Sequence, residues 1–147
     1  MENIRIEEVT SVQKELLTPI NGLLAQLTSS PVDFGLHNLE EIVNSAASHL
    51  FLVFCEGEVA GMLTLGTYIS PTGPKSWVED VVVDQKFRGR SLGKKLVEFA
   101  IGESSKVQGN QLMLTSKPAR VAANALYRSV GFEPKQTNVY RMVFEEE

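Results

Sequence analysis

One segment of the chain, residues 81–96, combines residue types that bind anions. It starts with three valines, continues through a short loop containing Gly89 and Gly93, and ends in an amphipathic helical pattern. Such a loop directs successive backbone N–H groups and the positive end of the helix dipole at one point. Basic side chains add positive charge there: Arg88, Arg90, Lys94 and Lys95. The segment therefore predicts a pyrophosphate cradle, and the alternative is a solvated basic surface turn.

Two common nucleotide motifs do not fit this segment. A P-loop requires Gly-x-x-x-x-Gly-Lys-Ser/Thr, but Gly89 and Gly93 are one residue too close and Lys95 follows Lys94 in place of Ser or Thr. A dinucleotide-binding fingerprint requires Gly-x-Gly-x-x-Gly after an early strand, which the sequence lacks. The predicted anion is therefore held by another type of loop.

Three stretches of the sequence resemble motifs of one enzyme family. Residues 88–93, Arg-Gly-Arg-Ser-Leu-Gly, look like the Gln/Arg-x-x-Gly-x-Gly/Ala loop of the GNAT (Gcn5-related N-acetyltransferase) superfamily. Residues 77–84 resemble the fourth strand of that family, and residues 122–132 resemble its late Ala-x-x-Leu-Tyr-x-x-x-Gly-Phe motif. The fourth-strand stretch is also locally similar to that of glucosamine-6-phosphate acetyltransferases. The predicted order of elements agrees with the family along the whole chain.

Two positions depart from the commonest family pattern. Ser91 stands where the family usually has its first motif glycine, and we expect it to fit if the local backbone is helical. Arg120 stands where many members have Asn, seven residues before Tyr127. These two departures affect the contacts expected with the cofactor and do not change the family resemblance.

The resemblance implies that acetyl-coenzyme A is the co-substrate. Its pyrophosphate would lie on the loop, and its pantetheine arm would pair with strand four where that strand bulges and parts from strand five. The backbone of residues 81–83 would also polarise the thioester carbonyl, an interaction that contributes a few kcal/mol to transition-state stabilisation. The residues implied for cofactor binding are Val81, Val82, Val83, Arg88, Gly89, Arg90, Ser91, Leu92, Gly93, Lys94 and Asn124.

Glu79 is the candidate general base. A primary amine is largely protonated at neutral pH and must lose a proton before it attacks a thioester. An acid in an otherwise apolar strand is costly unless it is paired or used. Regular alternation predicts that Glu79 shares a face with Trp77, Val81 and Val83, whereas Asp80 points to the opposite face. The alternatives for Glu79 are a structural carboxylate and one that orients the substrate ammonium, with Asp80 as the reserve candidate for the base.

Tyr127 matches the family tyrosine that protonates, or donates a hydrogen bond to, the departing thiolate. The alternative is a helix tyrosine that packs on the core with its hydroxyl at the rim. Asn124 lies three residues earlier on the same helical face, where it either reaches the cofactor or is a surface residue. By the same resemblance, Tyr68, Tyr140 and Arg141 border the acceptor side, as substrate contacts or as packing.

Periodicity predicts the elements that position these residues. Predicted helices lie at residues 12–27, with an interruption at Pro19, and at 38–46, 92–107 and 118–131. Predicted strands lie at residues 4–9, 49–55, 59–69, 77–83, 111–115, 132–134 and 139–144. The order β-α-α-β-β-β-α-β-α-β-β predicts an α/β (α+β) fold, by resemblance the GNAT fold: a mixed central sheet of about seven strands with helices on both faces. We expect residues 1–147 to form one N-acetyltransferase domain.

Composition limits the remaining classes of function. The chain of 147 residues is 43% hydrophobic and 22% charged, which excludes intrinsic disorder and collagen-like repeats. A net charge of −4 argues against a broad nucleic-acid-binding surface. The single cysteine, Cys55, forms no internal disulfide, and His37 and His49 have no partner at metal-ligand spacing. Without a visible signal peptide or an apolar run of about 20 residues, we expect a cytoplasmic protein that does not enter membranes.

The expected function is therefore transfer of an acetyl group from acetyl-coenzyme A to a primary amine, by direct attack in a ternary complex. The alternative is a non-catalytic acyl-coenzyme A sensor or interaction module on the same fold, and a third hypothesis is transfer of a longer acyl group. The acceptor stays open between small molecules, such as amino sugars, polyamines and amino acids, and peptide or protein amines. The resemblance to the family also implies a homodimer.

Overall fold

Five strands form one sheet in residues 2–145, the part of the chain that the computed structural model describes. The strands are β1 (Ile4–Glu8), β2 (Ser48–Cys55), β3 (Glu58–Ser70), β4 (Gly73–Val83) and β5 (Gln111–Met113). They lie side by side in the order β1-β2-β3-β4-β5. Strands β1 to β4 pair with one another in antiparallel orientation, and β5 runs parallel to β4.

The helices begin and end where the local sequence supports it. They are α1 (Leu17–Leu27), α2 (Leu36–Asn44), α3 (Leu92–Ser105) and α4 (Val121–Ser129). A 3₁₀ turn at Lys14–Leu16 precedes α1, so Pro19 lies in the first turn of α1, where its missing N–H breaks no helical hydrogen bond. The interruption that was predicted at Pro19 therefore lies two residues earlier, where the 3₁₀ turn meets α1 at Leu17. At the start of α2, the Gly35 N–H donates to Asn38 Oδ1 (2.8 Å).

Helices α1 and α2 cover one face of the sheet. The apolar cluster on this face, which we call the α1/α2 cluster, has the buried members Val9, Ile20, Leu23, Leu39, Leu50, Leu52, Met62 and Val82. Full burial of an aliphatic side chain contributes about 1.5–3 kcal/mol. The cluster therefore holds α1 and α2 firmly against the central strands β2, β3 and β4.

Helix α3 packs on the sheet through its own buried side, which includes Leu96, Val97 and Ala100. The rings of Phe51 on β2 and Phe99 on α3 meet edge to face, with centroids 5.0 Å apart. Strand β2 residues alternate between the two faces, so Phe51 points away from Leu50 and Leu52 of the α1/α2 cluster. Helices therefore lie on both faces of the sheet, as predicted.

The described chain packs as two units, the first ending at Thr115 and the second beginning at Ser116. The first unit contains the sheet and helices α1 to α3. The second contains α4 and the residues that follow it. Gly131, at a φ of 110°, ends α4: its N–H donates to the Arg128 carbonyl (3.1 Å), and the Phe132 N–H donates to the Tyr127 carbonyl (3.0 Å). This pair of bonds is a Schellman motif, so the glycine ends the helix as the sequence predicted.

The prediction of about seven strands is wrong for the described residues, which contain five. The first nine elements occur in the predicted order, but residues 132–134 and 139–144 form no strand. Alternating apolar residues become a strand only where a neighbouring strand pairs with their backbone. In the structure Val139, Tyr140, Met142, Val143 and Phe144 are instead exposed.

No helix in residues 2–145 combines the length and apolarity needed to cross a membrane.

Candidate active site

Strand β4 contains a bulge that includes Val81, the first of its three valines. Between the pairs Thr64–Glu79 and Met62–Val82, β3 contributes one residue and β4 contributes two, Asp80 and Val81. Asp80 has a φ of 51°, in the left-handed region that residues other than glycine rarely adopt. A bulge of this kind bends the strand and increases its twist.

Beyond Trp77 the two neighbouring strands β4 and β5 are no longer paired. The parallel ladder joins Lys75, Ser76 and Trp77 to residues 111–113 and does not continue. Within residues 2–145, the edge of β4 on this side has no strand partner from Val78 to Val83. Unpaired N–H and C=O groups on such an edge accept an added strand.

The bulge overturns the predicted face of Glu79. Regular alternation predicted that Glu79 and Val83 share a face, but Glu79 pairs with Thr64, and Val82 pairs with Met62. Thr64 and Met62 are two residues apart on β3 and share a face, so Glu79 shares its face with Val82. Since Val82 belongs to the α1/α2 cluster, Glu79 lies on the side of the sheet that α1 and α2 cover.

Glu79 is exposed, and its environment still disfavours the ionised form. Partial burial raises the pKa of the Glu79 carboxyl above its ordinary value, and the negative charge of Asp80 raises the pKa further. Neither carboxylate has a Lys, Arg or His nitrogen within ion-pair distance in the described part of the chain. A cationic group placed here would therefore meet uncompensated negative charge.

The loop after β4 is anchored at its start. The Asp84 N–H donates to the Ala60 carbonyl (2.8 Å), and the Asp84 carboxylate accepts from the Lys86 N–H (2.9 Å). The Gln85 N–H donates to Gln26 Oε1 on α1 (2.9 Å). Phe87 is buried and fixes the middle of the loop. These contacts hold the following residues in place relative to β3, β4 and α1.

The backbone N–H groups of residues 89–94 have no hydrogen-bond acceptor within residues 2–145. Gly89, with a φ of 82°, and Ser91, with a φ of 60°, both have left-handed backbone conformations, and α3 begins directly after Ser91. The first N–H groups of a helix have no partner inside the helix, and together with the helix dipole they attract anions. The condition under which Ser91 would fit, a helical backbone, is not met: Ser91 is left-handed, the conformation for which glycine is favoured.

The side chains of this loop have separate roles. Arg88 Nε donates to the Val83 carbonyl (3.3 Å), which ties the loop to the end of β4. Arg90 Nη1 donates to Glu2 Oε1 (2.8 Å) and lies 3.7 Å from Cys55 Sγ, so its guanidinium is engaged on the protein itself. Leu92 is buried, whereas Lys94 is exposed and has no ion-pair partner among residues 2–145.

The second unit holds Tyr127 and Asn124 on α4. Tyr127 is buried, and its ring meets the ring of Phe132 edge to face, with centroids 6.0 Å apart. The Tyr127 hydroxyl makes no hydrogen bond within residues 2–145. Asn124 Nδ2 donates to the Lys117 carbonyl (2.9 Å), so the amide stabilises the turn before the helix. Arg120 is the residue that precedes α4.

Sequence reasoning missed two residues that shape this region. Gln26 binds the loop from α1, and no sequence pattern indicates a contact across 59 positions. Gly61 lies so close to β4 that a Cβ atom there would be 2.8 Å from the Val82 carbonyl oxygen. A glycine inside an apolar strand is a signal for such close approach and could have identified this residue.

Comparison with known proteins assigns the family. A model described as the Acetyltransferase (GNAT) family matches residues 21–132 of this chain. The chain belongs to the GNAT family. The match includes the bulged strand, the loop at residues 84–94 and the helix that carries Tyr127.

Known GNAT relatives resemble this chain over most of its length. Glucosamine 6-phosphate N-acetyltransferase of Arabidopsis thaliana is 29% identical over 102 residues, which are 65% of this chain and 68% of the relative. N-alpha-acetyltransferase 30 of Dictyostelium discoideum is 19% identical over 130 residues, 88% of this chain and 70% of the relative. A solved aminoglycoside N-acetyltransferase in complex with coenzyme A has a TM-score of 0.78 and 20% identity, and the match covers 97% of this chain and 96% of that chain. That likeness shows the GNAT fold.

The residues of this GNAT chain fit coenzyme A. The unpartnered N–H groups at residues 89–94 suit a pyrophosphate, which offers several acceptor oxygens and negative charge. The unpaired edge of β4 at residues 78–83 suits the amide groups of a pantetheine arm. The described residues contain no group of three or more His, Cys, Asp or Glu side chains placed to hold a metal ion.

Proposed function

We propose that this protein is an N-acetyltransferase that moves the acetyl group of acetyl-coenzyme A to a primary amine by direct attack in a ternary complex. One observation carries the proposal: the N–H groups of residues 89–94 lack acceptors directly after the unpaired edge of β4. Membership of the GNAT family supports the same reaction class. Acetyl-coenzyme A supplies an activated thioester when bound.

The loop and the strand edge act as the binding elements. The N–H groups of residues 89–94 hold the pyrophosphate, and Lys94 adds a positive charge that is free to meet it. The backbone of residues 81–83 pairs with the pantetheine arm. A backbone N–H of this edge donates to the thioester oxygen as negative charge develops there.

Glu79 and Tyr127 act on the protons. The Glu79 carboxylate accepts a proton from the acceptor ammonium, and its raised pKa makes it a stronger base than an ordinary glutamate. The amine nitrogen then bonds to the carbonyl carbon, the carbon–sulfur bond breaks, and the nitrogen releases its second surplus proton to water, from which Tyr127 regains the proton that it gives to the thiolate. The Tyr127 hydroxyl, which has no partner among residues 2–145, donates its proton to the thiolate that leaves.

Calorimetry and a thiol assay test the proposal. We expect saturable binding of acetyl-coenzyme A, and release of free thiol when a panel of primary amines is added. Lack of binding at millimolar acetyl-coenzyme A would refute the proposal. Binding without thiol release from any amine in the panel would instead support a non-catalytic acyl-coenzyme A sensor.

Tyr127→Phe tests the proposed acid. Because the variant keeps the ring and its contact with Phe132, we expect kcat to fall roughly 10²-fold or more, with folding unchanged. Ser129→Ala is the matched control, since it also removes one hydroxyl from α4 and that hydroxyl only bonds the Leu126 carbonyl of the same helix (2.6 Å). Equal kcat values for Tyr127→Phe and the control would remove Tyr127 from the mechanism.

A further inference from the structure

Two aromatic side chains, Tyr68 and Trp77, lie on the same face of the sheet as Glu79. Trp77 Nε1 and the Tyr68 hydroxyl oxygen are 3.4 Å apart across the β3–β4 hairpin. Trp77 pairs with Gly66, and Tyr68 pairs with Lys75, so Tyr68 and Trp77 are diagonal neighbours on one face. Glu79 is two residues beyond Trp77 with no bulge between them and therefore shares that face.

This part of the face is open in the first unit. Tyr68 is 50% exposed and Trp77 is half-buried, whereas Ser76 and Val78 on the opposite face are buried. The α1/α2 cluster includes Val82 but neither aromatic residue. The two side chains therefore form a partly exposed aromatic surface that lies outside the α1/α2 cluster.

The charges along this face are separated. At the turn of the hairpin, Lys75 Nζ donates to Ser70 Oγ (2.8 Å), Thr72 Oγ1 (2.6 Å) and the Gly73 carbonyl (3.3 Å). That ammonium is therefore held at the turn. At the other end of the aromatic surface, Glu79 has no cationic partner within the described residues, and the adjacent Asp80 adds negative charge near its carboxyl. A ligand with one cationic end and a flat apolar body matches this arrangement.

We propose that the acceptor is a primary amine carried on a flat, apolar skeleton, with its ammonium at Glu79 and its skeleton against Trp77 and Tyr68. Residues two apart on a strand have side-chain origins about 7 Å apart, so a short carbon chain separates the nitrogen from the flat group. Attraction between the ammonium and the indole face adds to the contact. An amino sugar or a sugar phosphate fits less well, because the polar atoms of the two rings, Trp77 Nε1 and the Tyr68 hydroxyl, are paired with each other. This inference rests on the proposed acetyl transfer.

Trp77 is the only tryptophan of the chain, so intrinsic tryptophan fluorescence reports on this surface alone. The probe is 2-phenylethylamine, added without acetyl-coenzyme A at pH 7.5. We expect a saturable change in fluorescence, with half-saturation at concentrations at least about tenfold below those for 2-phenylethanol or glucosamine, which lack the charge and the flat apolar body, respectively. A response to glucosamine at equal or lower concentration would overturn the inference.

Variants locate the binding surface. We expect Tyr68→Ala and Glu79→Gln each to raise the half-saturating concentration of 2-phenylethylamine roughly tenfold. Ile69→Ala is the control for Tyr68→Ala, because Ile69 is 82% exposed, adjacent in sequence and on the opposite face. Glu98→Gln, an exposed residue of α3, is the control for Glu79→Gln. Controls that weaken binding as much as the test variants would overturn the inference.

The fluorescence titration and the thiol assay test the acceptor surface and the enzyme activity separately, so either proposal can be refuted without the other. If 2-phenylethylamine binds at Trp77 but no amine releases thiol, the surface stands and the proposed enzyme activity fails. If glucosamine releases thiol faster than 2-phenylethylamine and the fluorescence stays unchanged, the activity stands and the proposed acceptor class fails.

Discussion

Glu79 combines solvent access with a raised pKa. The side chain is exposed, so a substrate can reach it, and partial burial together with the neighbouring Asp80 charge raises the pKa of its carboxyl. Both causes penalise the ionised form, which is the form that accepts a proton. The carboxylate is therefore more basic than usual, a property required of a general base that works on an ammonium.

The pH dependence of the rate tests this role. With Glu79 as base, kcat/KM rises as the pH rises through the raised pKa of its carboxyl, because only the deprotonated form works. We expect Glu79→Gln to abolish this acidic limb and to lower kcat by about 10²–10⁴-fold. The measurement is the pH–rate profile of both proteins, with Glu98→Gln as control. An unchanged kcat with a raised KM for the amine would show that Glu79 orients the substrate instead.

At the scale of elements, the path of β4 depends on its contact with β3 at Gly61. A Cβ at this position would lie 2.8 Å from the Val82 carbonyl oxygen and 3.3 Å from Val83 Cα, so a side chain there pushes against backbone. The same contact positions the valines of the unpaired edge. Gly61 thus links the close packing of two strands to the geometry of the proposed pantetheine site.

Gly61→Ala should be destabilising. Because backbone must shift to accept the methyl group, we expect the free energy of unfolding to fall by about 1–3 kcal/mol and acetyl-coenzyme A to bind more weakly. Gly66→Ala on the same strand is the matched control, since its nearest neighbour, the Trp77 carbonyl oxygen, would be 4.0 Å away. Denaturant titration and calorimetry measure the two effects. Equal stability of the two variants would contradict the role given to Gly61.

The loop before α3 depends on a left-handed residue. At Gly89, with a φ of 82°, an added Cβ meets nothing within 4 Å, so the cost of Gly89→Ala is conformational rather than steric. That strain is about 1–2 kcal/mol, which corresponds to a loss of roughly tenfold in acetyl-coenzyme A affinity if the loop shifts to relieve it.

Gly102→Ala is the control, because Gly102 lies inside α3 and its added Cβ is also free of contacts. We expect this variant to leave affinity unchanged and to raise the free energy of unfolding by about 0.5–1 kcal/mol. Isothermal titration of both variants measures affinity. A Gly89→Ala protein that binds like the control would argue against an anion site at residues 89–94.

At the scale of the whole molecule, a ligand that binds only the folded chain stabilises it by mass action. With acetyl-coenzyme A at a hundredfold excess over its Kd, we expect about 2.7 kcal/mol of added stability and a rise in Tm of about 5–10 °C for a chain of this length. Thermal unfolding at increasing ligand concentration measures the shift, and Gly89→Ala should need a proportionally higher concentration. A Tm that does not depend on ligand concentration would contradict binding to the native state.

The sequence alone determined the order of the first nine elements, the glycine that ends α4, and the family. Each of these depends on residues close together in the chain: apolar periodicity, turn residues, or a short motif. The sequence could indicate a candidate anion-binding loop at residues 88–94 for the same reason, because its glycines and the helix start lie within a few positions of each other.

Only the tertiary structure decided where strands pair. Alternation indicated strands at residues 132–134 and 139–144, but a strand also needs a partner, and these residues form none. The same long-range pairing places the bulge at Asp80, moves Glu79 to the face of Val82 and brings Tyr68 beside Trp77. Register and close backbone approach arise from hydrogen bonds between distant segments, so no local pattern specifies them.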